Sequence, residues 1–212
     1  MKLKWQYWFF KNALSHQFCD DIIRFCHKKK TELGTISGVP DKKKTEKDQK
    51  KTEKNLAKLL KHRNSNVGWI GEPWVYHEIH NLIHRANESA EWNFHWNYSE
   101  PAQYTIYRKG QFYHWHQDSF DKPTSNPNNK NFHNKIRKLS VTISLSDSSE
   151  YTGGRLQFLD RSGYKQKIIT CKEILTKGSL VVFPSFMWHR VTPVTKGERK
   201  SLVMWNLGNP FI

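Results

Sequence analysis

The stretch YTGGRLQFLDRSGYKQKIITCKEILTKGSLVVFPSFMWHRVTPVTKGERKSLVMWNL, residues 151–207, decides the fold. Its apolar residues come in short runs: Leu156–Leu159, Tyr164–Thr170, Ser179–Pro184, His189–Val194 and Leu202–Leu207. Turn signals separate them, namely Gly153-Gly154, Ser162-Gly163, Lys177-Gly178 and Lys196-Gly197. Runs this short, bounded by turn residues, predict strands rather than helices. Upstream, Gln103–Arg108, Phe112–Asp118 and Leu139–Ser146 repeat the pattern, with Lys109-Gly110 as a further turn. About eight short strands from residue 99 onward predict a double-sheet jelly roll.

The chain before residue 99 reads as helical. Ser15 can cap a helix on which Phe18, Ile22 and Phe25 recur at helical spacing. Pro73 suits the first turn of a second helix, whose stripe Val75, Ile79, Leu82, Ile83, Ala86 and Ala90 marks a buried face. His77, His80 and His84 on that helix follow no H-E-x-x-H pattern and read as its polar face. The opening MKLKWQYWFFKNALS is interrupted by Gln6, Lys11 and Asn12 and reads as a buried first strand, not a leader. The expected class is mostly β with N-terminal helices (α+β), a single domain over residues 1–212 with helices on one face.

Composition narrows the function. Lys and Arg number 35 against 19 acidic residues, a net charge of +16 that would suit a nucleic-acid or membrane-surface partner. That charge is uneven. Residues 28–62 hold 12 lysines against five acidic residues and few apolar ones, which predicts a flexible lysine-rich insertion. Its second half has Leu56, Leu59 and Leu60 at the spacing of a helical turn or two. No aromatic residue is interleaved there as a base-stacking platform requires, so a nucleic-acid partner is not favoured. Cys19, Cys26 and Cys171 form no CxxC pair and fit a reducing cytoplasm better than a disulfide scaffold. No run of about 18 apolar residues occurs, so no membrane span is expected.

The chemistry lies in YRKGQFYHWHQD, Tyr107–Asp118. Alternate side chains on a strand share a face, so His116 and Asp118 should project together, with His114 beside them. An imidazole and a carboxylate are two ligands for a divalent transition metal. The third candidate is His189, 71 residues beyond Asp118, at the head of another predicted strand. Two histidines and one carboxylate on one side of a metal form the facial triad of non-haem iron oxygenases. Ten residues later, Arg199 on the neighbouring strand can grip a dicarboxylate bidentately, leaving its 2-oxo acid end for the metal. Tyr107 and Tyr113 can add phenol hydrogen bonds. A His114-x-His116 pair would suit a cupin-like site, but no acidic ligand follows at that spacing, so His114 is kept as a supporting or lid-facing residue.

The pattern Tyr107-x2-Gly110-x2-Tyr113-x2-His116-x-Asp118, then Gly153-Gly154-x-Leu156-x-Phe158, then His189-x-Val191-x-Pro193-Val194-x2-Gly197-x-Arg199-x-Ser201-Leu202, resembles one known family. It is similar to the prolyl 4-hydroxylase-like branch of the Fe(II)/2-oxoglutarate dioxygenases. RNSNVGWI, residues 63–70, also resembles the approach strand of the small microbial and tailed-phage members. The resemblance covers residues 63–212 and implies a double-stranded β-helix, with a catalytic β core over 99–212. It implies Fe(II) on His116, Asp118 and His189, and 2-oxoglutarate on Arg199 with Tyr113, or else Tyr107, assisting. Ascorbate is a candidate reductant, and a phage-encoded chain would work in its host's cytoplasm.

The implied reaction is hydroxylation of an aliphatic C–H bond, foremost of a prolyl residue in a peptide or protein, releasing succinate and CO2. The alternatives are a free amino acid, a small metabolite or a nucleobase as substrate, or a non-catalytic basic binding module. Nucleobase-demethylating relatives carry a second Arg six positions after the cosubstrate Arg, and here Trp205 stands there. Asp118 favours hydroxylation over halogenation, which needs the carboxylate's position open for halide. Of the neighbours, Trp115, Trp188 and Trp205 are expected in core packing, and Arg190 and Lys200 on the outside. His133 is expected to be solvated, in a polar loop (residues 121–135) long enough for a lid or substrate contact.

Overall fold

The computed structural model describes residues 3–28, 32–33 (backbone alone), 60–119, 122–161, 163 and 165–211. The expected insertion at 28–62 lies mostly outside these residues. So do Leu56 and Leu59 of its helical turn, Ser162 of an expected turn and Tyr164 of an expected strand. In chain order the elements begin with β1 (Trp8–Phe10), α1 (His16–His27), β2 (Glu32–Leu33), β3 (Arg63–Asn64), β4 (Asn66–Ile70) and α2 (Pro73–Ser89). β5 (Tyr98–Ser99), β6 (Ala102–Tyr107), β7 (Phe112–His116), β8 (Ile136–Ser144), β9 (Tyr151–Gly153) and β10 (Leu156–Asp160) follow. The chain ends with β11 (Lys167–Thr170), β12 (Leu180–Pro184), β13 (His189–Val191), β14 (Val194–Gly197) and β15 (Arg199–Gly208).

Two antiparallel sheets face each other. The larger runs β1-β12-β8-β15-β6-β4-β2, with β5 also on β15, and the smaller runs β11-β10-β13-β7-β3. This is the expected mostly-β jelly roll with helices on one face. Alternation along the large sheet separates two cores. Leu139, Val141 and Ile143 of β8, Leu180 and Val182 of β12, and Leu202 and Met204 of β15 pack with α1 and α2. Val181 and Phe183 of β12 instead meet Leu156, Phe158 and Val191 of the small sheet. The helices begin as their sequences demand. Ser15 Oγ accepts the Phe18 N–H at 3.1 Å, and Pro73 opens α2. Cys19, Ile22 and Cys26 are the buried residues of α1, and Phe18 and Phe25 pack at their rim.

Several elements differ from expectation. β1 is a half-exposed edge strand on β12, not a buried one, and Phe9 points outward. The run expected as one strand over His189–Val194 is two, because Thr192-Pro193 takes the chain off the small sheet and β14 pairs with β9 instead. Residues 63–70 also divide. Arg63–Asn64 pairs with β7 in the small sheet, and after Ser65 the chain crosses to β6 in the large one. On α2, His77 is exposed, whereas His80 bonds Ser99 and His84 stacks on Trp96, so that face is only partly solvated.

Candidate active site

β7 does not alternate through its whole length. His189 pairs with His116 and Val191 with Tyr113, so two residues of β7 oppose Arg190 alone. This bulge turns Tyr113 and His116 to the same interior side, their rings stacked with centroids 3.5 Å apart. His114, expected on the face of His116, is exposed and lies against His62. The strand ends at His116, short of the expected Asp118. Asp118 is returned to the interior by its N–H, which donates to Ser185 C=O at 2.8 Å.

His116, Asp118 and His189 come together, with one potential ligand atom from each inside a 4.8 Å cluster. Nδ1 of His116 lies 2.7 Å from His114 C=O, and Nδ1 of His189 lies 2.9 Å from Met187 C=O. A carbonyl only accepts, so each Nδ1 carries a proton, the tautomer that leaves Nε2 free to bind a metal. Those Nε2 atoms stand 3.7 Å and 3.5 Å from the two Asp118 carboxylate oxygens. Burial pushes the His116 pKa well below the ordinary value, with His189 adding to the effect, so this imidazole is neutral near pH 7. Burial pushes Asp118 up, but His189, His116 and Arg137 outweigh it and hold the carboxyl below the usual range. Its Oδ2 is buried with no hydrogen-bond partner among the described residues. Two imidazole nitrogens and an ionised carboxylate with an unused oxygen fit a divalent transition metal.

Arg199 completes the cavity from the opposite side. It opens β15, so it sits in the large sheet and not on the strand next to β13; its register partner is Tyr107. The guanidinium is buried, donates to Ser201 Oγ at 3.3 Å and lies 5.5 Å from the Tyr107 ring. Tyr107 and Tyr113 both line the same cavity as the three candidate ligands. Burial raises both phenols, Tyr113 to about 12, so both remain protonated donors. Gly153 and Gly154, with φ of +77° and +57°, let the chain pass close beside Arg199. A Cβ on Gly154 would stand 3.0 Å from Arg199 Cδ.

The sequence reading missed two supports. Arg137 clasps Glu100 through Nε at 2.6 Å and Nη2 at 2.7 Å, and Nη1 reaches Asp118 C=O at 3.4 Å. Trp205, expected in plain core packing, lies under that guanidinium at 4.0 Å and lines the cavity. Its indole N–H faces the Asp118 carboxylate without a well-formed hydrogen bond. Arg63 is likewise buried, over the Tyr113 ring at 4.6 Å. The other expectations divide. Trp115 and Trp188 are half-buried under Arg190 and Arg161 rather than in the core. Lys200 is held by Glu198, and His133 bonds Asn126 within its own loop.

A family model described as the 2OG-Fe(II) oxygenase superfamily matches residues 102–206, a span that holds all six candidate residues. The chain belongs to this superfamily. Among curated relatives, a PKHD-type hydroxylase of Shewanella oneidensis is 38% identical over 106 residues, 50% of this oxygenase chain and 42% of the relative. Another, from Teredinibacter turnerae, is 34% identical over 105 residues, again 42% of the relative. The match thus spans less than half the length of these relatives. Among solved structures, a Pseudomonas putida prolyl-4-hydroxylase superposes with a TM-score of 0.63 at 18% identity, covering 96% of this chain and 92% of that one. A viral collagen prolyl hydroxylase from Paramecium Bursaria Chlorella virus-1, solved with 2OG, gives 0.62 at 20% identity and 97% of both chains. A Trichoplax adhaerens prolyl hydroxylase, solved with a hypoxia inducible factor peptide, gives 0.60 at 16% identity, covering 95% and 83%. At these identities the structural likeness speaks for the shared oxygenase fold. Among the described residues no helix is long and apolar enough to cross a membrane.

Proposed function

We propose that this oxygenase hydroxylates an aliphatic C–H bond of a prolyl residue in a peptide or protein, using Fe(II) on His116, Asp118 and His189 and 2-oxoglutarate on Arg199. The observation that carries the reading is the convergence of two bare Nε2 atoms and an ionised carboxylate opposite a buried guanidinium, in one cavity. When bound, ferrous iron with the cosubstrate and dioxygen supplies the oxidising power, the cosubstrate leaving as succinate and CO2. The chain's own part is placement. The carbonyls of His114 and Met187 fix the two imidazoles in the tautomer that leaves Nε2 available. Arg199 neutralises the distal carboxylate of the cosubstrate, and its partner Ser201 keeps the guanidinium from turning away. Tyr107, against Arg199, and Tyr113, against His116, offer phenol protons to the same ligand. The prolyl substrate is supported by the prolyl hydroxylases among the fold's neighbours and by the peptide one of them was solved with.

The test adds Fe(II) anaerobically, then 2-oxoglutarate, dioxygen and a panel of proline-containing peptides. Succinate should form in step with hydroxylated peptide, and His189→Ala should abolish both. Absence of iron binding and of turnover in the parent, with His189→Ala indistinguishable from it, overturns the reading. Succinate with every peptide left unmodified overturns the prolyl assignment alone.

A further inference from the structure

β8 carries two adjacent cations near its head, and a break in register sends them apart. Leu139 pairs with Asn206 and Arg137 with Leu207, so Lys138 is passed over. A bulge of this kind reverses which face each side chain takes. Arg137 goes to Asp118, and Lys138 goes to a second cavity of about 580 Å³ walled by Phe94, Trp96 and Phe211. That size suits a small molecule. The cavity shares no lining residue with the one around the candidate metal ligands.

Lys138 is only 4% exposed. No carboxylate lines the cavity, and no described residue gives the ammonium an ion pair or hydrogen bond. Its Nζ lies over the Phe211 ring, 3.3 Å from the centroid. Burial alone lowers its pKa, as expected of a cation with no counter-charge nearby. Trp96, on the same wall, has its indole N–H buried without a hydrogen-bond partner. A buried ammonium lacking an anion is costly, and proteins rarely keep one without use. An ammonium among aromatic walls specifies a ligand that is acceptor-rich at one end and flat and apolar at the other.

We propose that this cavity binds a small organic carboxylate with an aromatic body, its carboxylate on Lys138 and its ring between Trp96, Phe94 and Phe211. The proposal does not rest on the metal reading, but the two places are joined. Phe186 packs on Phe94 and Phe211, with ring centroids at 6.2 Å and 6.0 Å. Its neighbours Ser185 and Met187 supply the carbonyls that hold Asp118 and His189. The aromatic wall of the cavity therefore abuts the segment that supports two of the three candidate metal ligands.

The probe is benzoate, titrated into the full ¹⁵N-labelled chain while following the Trp96 indole N–H resonance, assigned by its loss in Trp96→Phe. Benzyl alcohol is the uncharged control. A saturable shift is expected with benzoate, at least tenfold weaker with benzyl alcohol and in Lys138→Met. Arg199→Met, which removes the other carboxylate-gripping group, should leave the benzoate affinity unchanged. A shift that never saturates, equal affinity in Lys138→Met, or loss in Arg199→Met instead overturns the proposal. Lys138→Met should melt no lower than the parent without benzoate, because it removes an unpaired buried charge. If Lys138→Met and Lys138→Gln both melt well below the parent, Lys138 is structural and the proposal fails.

Discussion

Asp118 meets two opposed demands. Burial raises a carboxylate's pKa, yet a metal ligand must be ionised. Of the groups that hold it down, His189 and His116 are themselves the other candidate ligands, and only Arg137 is permanently charged. The guanidinium is held by a two-pronged bond to Glu100 and lies 4.0 Å from the Trp205 ring, so its position is fixed on two sides. Arg137→Met should therefore weaken metal binding by about 10–100-fold, the usual effect of losing a group that orients a ligand. Co(II) titration of the metal-free protein measures this without turnover. Glu100→Gln should shift the affinity the same way, and the double variant should cost less than the two single losses combined. Unchanged Co(II) affinity in Arg137→Met would remove it from the site. The candidate residues were legible in sequence, since His116, Asp118, His189 and Arg199 are the residue types the proposed chemistry requires. Arg137 was not, because an arginine at the head of an apolar strand looks like surface charge until the neighbouring bulge is known.

Irregular pieces of strand place the site. The bulge in β7 brings Tyr113 rather than His114 beside His116, and the glycine pair after β9 lets the chain close over Arg199. Strict alternation, the rule by which strands are read from sequence, fails at both. It holds along β6, where Ala102, Tyr104 and Ile106 face the helices and Gln103 and Tyr107 face the cavity. Short β9 escaped notice because three residues carry too little pattern, and Pro193 hid the end of β13 inside an apolar run. Gly154→Ala tests how closely this turn guards Arg199. Its Cβ would meet Arg199 Cδ at 3.0 Å and Val194 Cγ2 at 2.9 Å, at a φ of +57°. Stability should fall by on the order of 1–3 kcal/mol for the forced left-handed residue. The KM for 2-oxoglutarate should rise while Co(II) affinity holds, because the strain lands on the arginine and not on the ligands. Ser15→Ala is the matched control. Loss of the α1 cap should cost about 1 kcal/mol, read as a lower melting temperature, and leave both constants unchanged.

The whole molecule divides the proposed work between its sheets. His116 and His189 belong to the small sheet and Asp118 follows β7 directly, whereas Arg199 belongs to the large one. In the proposed reading a metal alone would tie together parts of one sheet, and 2-oxoglutarate on Arg199 would tie the two sheets across the cavity. Ligands that bind only the folded state stabilise it by mass action, about 2.7 kcal/mol for a ligand at 100 times its Kd. The chain carries its own reporter of opening. Cys19, Cys26 and Cys171 are all buried and in no disulfide, and burial pushes Cys19 to about 11 and Cys171 to about 12. They should react with a thiol reagent only as the fold opens, and all three should react in denaturant. Co(II) should slow that labelling and raise the melting temperature, and a chelator should reverse both. Added 2-oxoglutarate should slow labelling further only when metal is present, and this second step should vanish in Arg199→Met while the first survives. A second step that persists in Arg199→Met would place the cosubstrate elsewhere and break the link between the two sheets.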